Sequence, residues 1–440
     1  MTQDMSAIQP YAEHFAGLQS RLPGEDPVWL KSLRQDAIDR FAEAGFPTPR
    51  AETWKYTNLR PLLKQRFTPS AETDGAISID TVPSVLPRES AGPRLVFING
   101  RLRDDLSDHA ALPEGVSLLG LRAALDADPQ GIAKLLESET PGSELPLLAL
   151  NTALMEDGFL LRVARGAVVE KPIEIVFLGG LAEAPLSYHP RNLIVLEESS
   201  QATIVEHHLG RGTAPTFANS VSDIRVGQNA RLRHLKVQEE GRESFHIATL
   251  RATVARDADY QSFGLSIGAR LSRSEASVRL EGEGAHCRIN GAYLQRGVQH
   301  CDNTTVIEHL APHTGCREVF KGVLDDRARG VFQGKIVVHR GAQQVDGHQL
   351  SRALLLSDQA EIDAKPELEI YADDVKCSHG ATAGDLDHDA LFYLRSRGLP
   401  EATARNLLIG SFLAEALQEI EDENLQTQLM ARVNDWLPKA

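Results

Sequence analysis

The chain has 440 residues, 42% of them apolar and 24% charged, with a formal net charge of −15. The length suggests about two or three structural units with an ample core. The acidic balance argues against a nucleic-acid binder, which carries a basic patch or stripe. Met1 to Pro10 hold no basic segment leading into an apolar run, and no apolar stretch approaches a membrane span, so no membrane association and a cytoplasmic location are expected. Four cysteines, Cys287, Cys301, Cys316 and Cys377, form no C-x-x-C pair and read as reduced, unclustered thiols.

The N-terminal part, residues 1–92, reads as a helical domain with a linker. Asp26-Pro27 resembles an N-cap followed by proline at the first helical position. Trp29, Leu30, Leu33, Ala37 and Phe41 recur at helical spacing until Gly45 and Pro47 end the run. Glu52 to Leu59, with Trp54 and Tyr56, reads as an anchor that packs this region onto its neighbour. Pro69 to Ser90 is polar and reads as an irregular connection.

From about Leu95 the texture changes, and residues 93–384 read as one β-rich unit. Leu95 to Ile98 is a short strand ending in a turn, and a mixed, partly helical stretch follows from Ser117 to Leu136. From Gly158 to Ile370 short alternating segments dominate, among them Ile173–Phe177, Leu193–Leu196, Ala202–Glu206 and Lys335–His339. Ala202, Ala230, Ala258 and Ala285 each precede such a segment at intervals of 28, 28 and 27 residues. A fixed period of short strands with few hairpin signals indicates a stacked solenoid, and a small residue at each corner suits close stacking. A parallel β-helix is therefore favoured over a sandwich.

Residues 385–440 return to helix. Asp387 or Asp389 caps Ala390–Ser396, Gly398 stops it, Pro400 opens a longer helix through Leu417, and a last helix covers about Leu425 to Trp436. Such a tail either caps the solenoid end or docks a partner, with Phe412 and Trp436 as candidate anchors.

Chemistry-bearing motifs are sparse. No Walker A loop, G-x-G-x-x-G fingerprint, G-x-S-x-G elbow or H-E-x-x-H is present, so no nucleotide site is expected. Cys377 and His379 stand two residues apart after Asp373 and Asp374. In an extended segment they project to one face, and thiolate with imidazole suits iron or zinc. Two donors do not close a site. On spacing alone, a buried cysteine and a satisfied histidine at a strand end is the simpler reading.

The stretch from Phe320 to Gly398 adds a resemblance. Phe320-Lys-Gly-Val-Leu-Asp325, Ala328-Arg-Gly-Val-Phe-Gln-Gly-Lys335, the run from Ala360 through Tyr371 to Cys377-Ser-His379-Gly380, and Leu391-Phe-Tyr-Leu-Arg-Ser-Arg-Gly398 closely resemble the SufB/SufD family of iron–sulfur cluster assembly scaffolds. Thr53-Trp54-Lys55-Tyr56-Thr57 resembles that family's N-terminal motif. The length and Cys-Ser-His-Gly point to its SufD branch. The resemblance implies a right-handed parallel β-helix core flanked by N-terminal and C-terminal helical domains. It implies a non-catalytic scaffold that pairs through the β-helix with a SufB-like paralogue and carries a SufC-like ATPase on its C-terminal helices, and it leaves a homodimer open. It also implies a transient iron–sulfur cluster or iron at the partner interface, with His379 first and Cys377 second as candidates. A reduced flavin belongs to the family's complex, but no residue pattern here marks its site. Two alternatives stand beside this reading: a SufB-like chain carrying the cluster on its own cysteines, and a β-helix enzyme acting on carbohydrate, which the low aromatic content disfavours.

Overall fold

In the computed structural model, the described residues are 5–18, 27–70, 77, 82–87, 90, 92–108, 112–136 and 145–438. Asp26 and most of the Pro69–Ser90 connection lie outside them. The helix expected near Trp29 runs from Val28 to Ala44, preceded by Pro27 and closed by Gly45 at φ 68°.

Two sheets face each other, one of eleven strands and one of ten, and the chain alternates between them. Each coil therefore gives one strand to each sheet, and neighbours within a sheet are next-but-one in sequence. The pairings along the solenoid are parallel and in register, as in Arg231–Glu239 against Asp259–Ser266. Antiparallel pairing occurs at the N-terminal end, where Arg94–Ile98 meets Arg101–Leu102 and Val116–Gly120 meets Phe159–Val163. This is the parallel β-helix expected from the period of short strands, with helices on both flanks.

The corners explain the period. Ser199, Asn229, Asp257, Gly284, His313 and Gln344 have φ between 55° and 71°, the left-handed region that turns the chain sharply. A fully or almost fully buried residue follows each of the first five: Ser200, Ala230, Ala258, Ala285 and Thr314. Backbone bonds stack these five into one column, for example Asp259 N to the Ala230 carbonyl and His286 N to that of Ala258. Coils stacked about 4.8 Å apart leave room there for small side chains alone. One member of the expected series is corrected. Ala202 pairs with Leu232 inside a strand, and Ser200 takes the corner, because the first interval is two residues longer than the sequence repeat suggested.

Alternate residues of each strand point inward. The interior is apolar at Ile175, Ile204, Leu232, Ile289, Ile307 and Phe332. The outward positions of the eleven-stranded sheet, among them Phe217, Phe245, Ile247 and Leu271, are covered by the N-terminal helices through Tyr11, Phe15, Phe41 and Phe46. The Glu52–Leu59 segment is the anchor its composition indicated. The Arg273 guanidinium lies 4.0 Å from the Trp54 ring centre and donates to the Thr53 carbonyl at 2.8 Å. Gln333 donates to the same carbonyl, and Thr57 bonds Asp302.

The C-terminal helices form His388–Ser396, Glu401–Leu417 and Glu423–Trp436, with Asp387 and Asp422 capping the first and third. They do not cap the solenoid end. Leu413, Ala416, Leu417, Leu425 and Leu429 pack on the outward residues Val205, Leu235, Val237, Phe263 and Leu265 of the ten-stranded sheet. Its outward face is a continuous apolar stripe several coils long, which an amphipathic helix pair buries better than a narrow coil end could.

Candidate functional site

Because the helices lie along the side, the last coil is left open. Glu361–Ile370 and Val375–Gly384 are the terminal strands of the two sheets, each bonded to a neighbouring strand on one side. Most of their residues are exposed or half-buried, in contrast to the strands behind them. Pro366 is tolerated there because an edge strand loses least from a missing N–H. Charged pairs rim the end: Arg329 with Asp363 at 2.6 Å, Lys335 with Glu369 at 2.7 Å, and Lys365 with Glu52 at 2.6 Å.

Cys377 and His379 stand on this edge strand. Cys377 pairs with Gly347 and His379 with Gln349. Both continue interior columns, so the two residues share the inward face, as their spacing predicts. The column of Cys377 runs through Leu232, Tyr260, Cys287, Cys316 and Gly347. The column of His379 runs through His234, Ser262, Ile289, Glu318 and Gln349 by the same pairings. The cysteines, read from sequence as unclustered, are therefore largely aligned: three of four lie in one column, interrupted by Gly347. A side-chain carbon at Gly347 would lie 3.4 Å from both Cys316 Sγ and Cys377 Sγ.

Environment separates these thiols. Cys287 and Cys316 are buried, and burial pushes both thiols well above their ordinary range. Cys301 is pushed up to about 12 for the same reason. Cys377 is half-buried, and burial also raises its thiol, opposed by a hydrogen bond from the Gly347 backbone. Its environment thus favours the protonated thiol over the thiolate that ligates metals. His379 is exposed, and its imidazole makes no hydrogen bond among the described residues. On the opposite strand face, His348 bonds Ser378 Oγ at 2.6 Å and Asp346 at 2.7 Å.

Sequence reasoning missed the two residues behind His379. Gln349 donates to Glu318 Oε2 at 2.6 Å, and burial pushes the Glu318 carboxyl up to about 7. The repeat of 27 to 28 residues could not have found them, because these coils are 31 and 30 residues long and strand pairing alone aligns Glu318, Gln349 and His379. Deeper inside lies a cavity of about 80 Å³, lined by His234, Lys236, Asn290 and Asn303 together with Leu250, Ile289 and Phe320 among others. Elsewhere in the interior, His208, Glu240 and His246 form a compact buried group of metal-ligating residue types.

The partner-docking candidates lie on the helical flank. Phe412 is half-buried; Lys321 Nζ sits 4.5 Å from its ring centre and donates to its carbonyl. Trp436 is buried beneath the Arg296 guanidinium, 4.0 Å away. Both fasten the helices to the solenoid. The large exposed apolar side chains of these helices are Phe392, Tyr393 and Leu407.

The family model for the SUF system FeS cluster assembly SufBD core domain matches residues 180–412. The SufBD protein N-terminal region matches residues 5–175. An iron–sulfur cluster assembly SufBD family protein of Synechocystis is 34% identical over 93% of this chain and 92% of its own length. The iron–sulfur cluster assembly protein SufD of Escherichia coli is 33% identical over 92% of each chain. That of Bacillus subtilis is 28% identical over 97% of each. No helix among the described residues is long and apolar enough to cross a membrane.

Proposed function

The chain belongs to the SufBD family of iron–sulfur cluster assembly proteins, and from that premise we propose that it is a SufD-type, non-catalytic scaffold subunit whose open solenoid end pairs with a SufB-like paralogue. The observation that carries this reading is the pair of half-exposed edge strands with Cys377 and His379 on one face. Unpaired strand edges are templates for another chain. A partner's edge strands set against them would bring in the donors that Cys377 and His379 lack. Iron or a nascent cluster, as cargo, would then be held between the two chains.

The helical flank supports the second half of the proposal, docking of a SufC-like ATPase. Phe392, Tyr393 and Leu407 present exposed apolar side chains there, while Phe412 and Trp436 fix the helices from behind. Movement of an ATPase against this flank would be passed to the edge strands through Lys321, which bonds Glu415 and the Phe412 carbonyl from within the sheet. The chain's own cysteines favour this scaffold over a self-contained cluster site, since three are buried thiols held protonated.

The test is co-expression with SufB-like and SufC-like chains. His379→Ala is expected to leave complex formation unchanged by size-exclusion chromatography and to lower the cluster absorbance of the anaerobically purified complex several-fold. Normal cluster yield in that variant removes His379 from the reading. Failure of the wild-type chain to co-purify with either partner removes the scaffold reading itself.

A further inference from the structure

The interior column behind His379 holds an amide with one end committed and the other left over. Gln349 and Glu318 are the next two members of that column, at successive strands in from the edge, and are 3% and 1% exposed. Gln349 Nε2 donates to Glu318 Oε2 at 2.6 Å. The amide is also seated from across the interior. A side-chain carbon at Gly334 in the facing sheet would fall 2.7 Å from Nε2, so the amide fills the space that this glycine leaves. Gln349 Oε1 is in a different position. It is buried and has no hydrogen-bond partner among the described residues. Buried acceptors in native interiors are nearly always paired, so an orphan among them calls for a cause.

Candidate donors nearby are few. The two polar ends of an amide diverge, so with Nε2 turned to Glu318 the oxygen is turned from it. The neighbour of Gln349 on the other side of the column is His379. Among the inward side chains of the two terminal strands, His379 alone carries an N–H. The others are aliphatic apart from Cys377, a weak S–H donor. In-register neighbours on adjacent strands stand about 4.8 Å apart, within reach of an imidazole that turns from solvent toward the column. In the isolated chain that bond is open, since His379 makes no hydrogen bond among the described residues.

We propose that Gln349 is the positioning residue for His379: in the assembled complex a ring N–H of His379 donates to Gln349 Oε1, and the lone pair of the other ring nitrogen faces the partner chain. The inference rests on the assembly reading of His379 and adds the residue that fixes its tautomer and direction. An exposed imidazole rotates and exchanges its proton between two nitrogens. Once one nitrogen is held by an acceptor, the other becomes a ligand of fixed orientation, which is the usual arrangement behind a metal-bound histidine. Glu318 has a defined part in this. By accepting from Nε2 it turns the carbonyl end of the amide, and not the NH₂ end, toward the last strand. An NH₂ group there would compete for the imidazole lone pair. A docked partner excludes water from the last coil, and a hydrogen bond formed there is stronger for it.

The experiment uses the full chain, co-purified anaerobically with SufB-like and SufC-like partners. Pulsed EPR of the reduced cluster in the wild-type complex should show a nitrogen coupling that is lost in His379→Ala. Gln349→Leu should leave the complex intact by size-exclusion chromatography, lower the cluster absorbance several-fold and weaken that nitrogen coupling. Removing the group behind a histidine ligand commonly costs ~10–100-fold in metal affinity. Added to His379→Ala, Gln349→Leu should lower the yield no further, because the two act through one atom. The exchange of Glu318→Gln with Gln349→Glu keeps the side-chain volumes and the bond between them, and still offers His379 an oxygen. It should return yield and coupling to near the wild-type level. If Gln349→Leu does not fold, the exchange decides: an intact complex that has lost both overturns the proposal. Wild-type yield and coupling in Gln349→Leu, with both lost in His379→Ala, also overturns it and leaves His379 as the donor. Normal yield in His379→Ala removes the assembly reading of that residue, and the proposal with it.

Discussion

The middle coils and the terminal coil carry a histidine in the same interior column, His234 and His379, five strand pairings apart. His234 is 3% exposed and committed at both nitrogens, to Glu206 at 2.9 Å and to the Tyr260 hydroxyl at 3.3 Å. His379 has the same register and orientation but no coil above it and no hydrogen bond among the described residues. A column position in a solenoid therefore does not determine a residue's role by itself. With a coil on each side, the polar side chain is held in a closed network. At the end, the same position faces whatever docks there.

The largest expected effect tests the closed half of this comparison. Glu206 is 1% exposed and accepts from both His208 and His234. Glu206→Ala leaves two buried donors without an acceptor, at about 1–3 kcal/mol each. Chemical denaturation in the presence of chelator should show a loss of about 4 kcal/mol. A loss below about 1 kcal/mol would mean that water enters the interior freely and that the two regions differ little.

The next effect lies between the regions, at Glu318. Its carboxyl is pushed by burial to about 7 from an ordinary 4.5. The folded chain then holds a proton there that the unfolded chain has already released. Its contribution to stability is fully present below about pH 4.5 and is lost as pH rises through about 7. The span amounts to about 3 kcal/mol. Glu318→Gln, which keeps the contact with Gln349 and cannot ionise, should flatten this part of the stability profile between pH 5 and 8. An unchanged slope would place Glu318 in contact with solvent, as His379 is.

Much of this was readable in the sequence and some was not, for identifiable reasons. The strands of the solenoid, the helices after Asp387 and the anchor at Trp54 followed from periodicity, caps and composition, which are local signals. Cys377 and His379 were placed on one face because i and i+2 alternate in any strand. The corner assigned to Ala202 was wrong by two residues because coil length varies, and only pairing fixes register. The column of Cys287, Cys316 and Cys377, and the approach of His208 to Glu240 and His246, are products of stacking, in which residues about thirty or more apart become neighbours. The open end could not be inferred from the helical tail. Its amphipathic pattern fits a coil end or a sheet face equally, and the width of the apolar stripe on the ten-stranded sheet decides between them.

Two glycines sharpen the comparison at smaller magnitude. A side-chain carbon at Gly322, two coils in from the edge, would lie 2.2–2.5 Å from the ring carbons and hydroxyl of the buried Tyr293. Gly322→Ala should therefore cost about 2 kcal/mol through overpacking. At Gly347, beside the open end, the same carbon meets Cys316 Sγ and Cys377 Sγ at ordinary contact distance. Gly347→Ala should be neutral or raise stability by about 0.5 kcal/mol, since a strand glycine is entropically costly. Thermal melts of the two variants give the ordering, and equal shifts would contradict the difference in packing.

The smallest effect on stability belongs to the residue on which the assembly reading rests most. His379→Ala removes an exposed side chain without a hydrogen bond among the described residues, so denaturation of the isolated chain should move by less than about 0.5 kcal/mol. In complex with a SufB-like partner the same substitution should lower cluster yield several-fold, because the imidazole would there be a donor with no substitute on its own strand. The nearest alternatives point away from it: Ser378 and His348 lie on the opposite strand face and bond each other. Cys377→Ser offers an internal control. It should cost more stability than His379→Ala, since Cys377 packs against the solenoid core, yet its effect on yield should be smaller, because its thiol is half-buried and held protonated. If the two variants reverse this order, with His379→Ala destabilising the isolated chain and Cys377→Ser abolishing the cluster, then the thiol is the leading donor and the imidazole is part of the packing of the last coil.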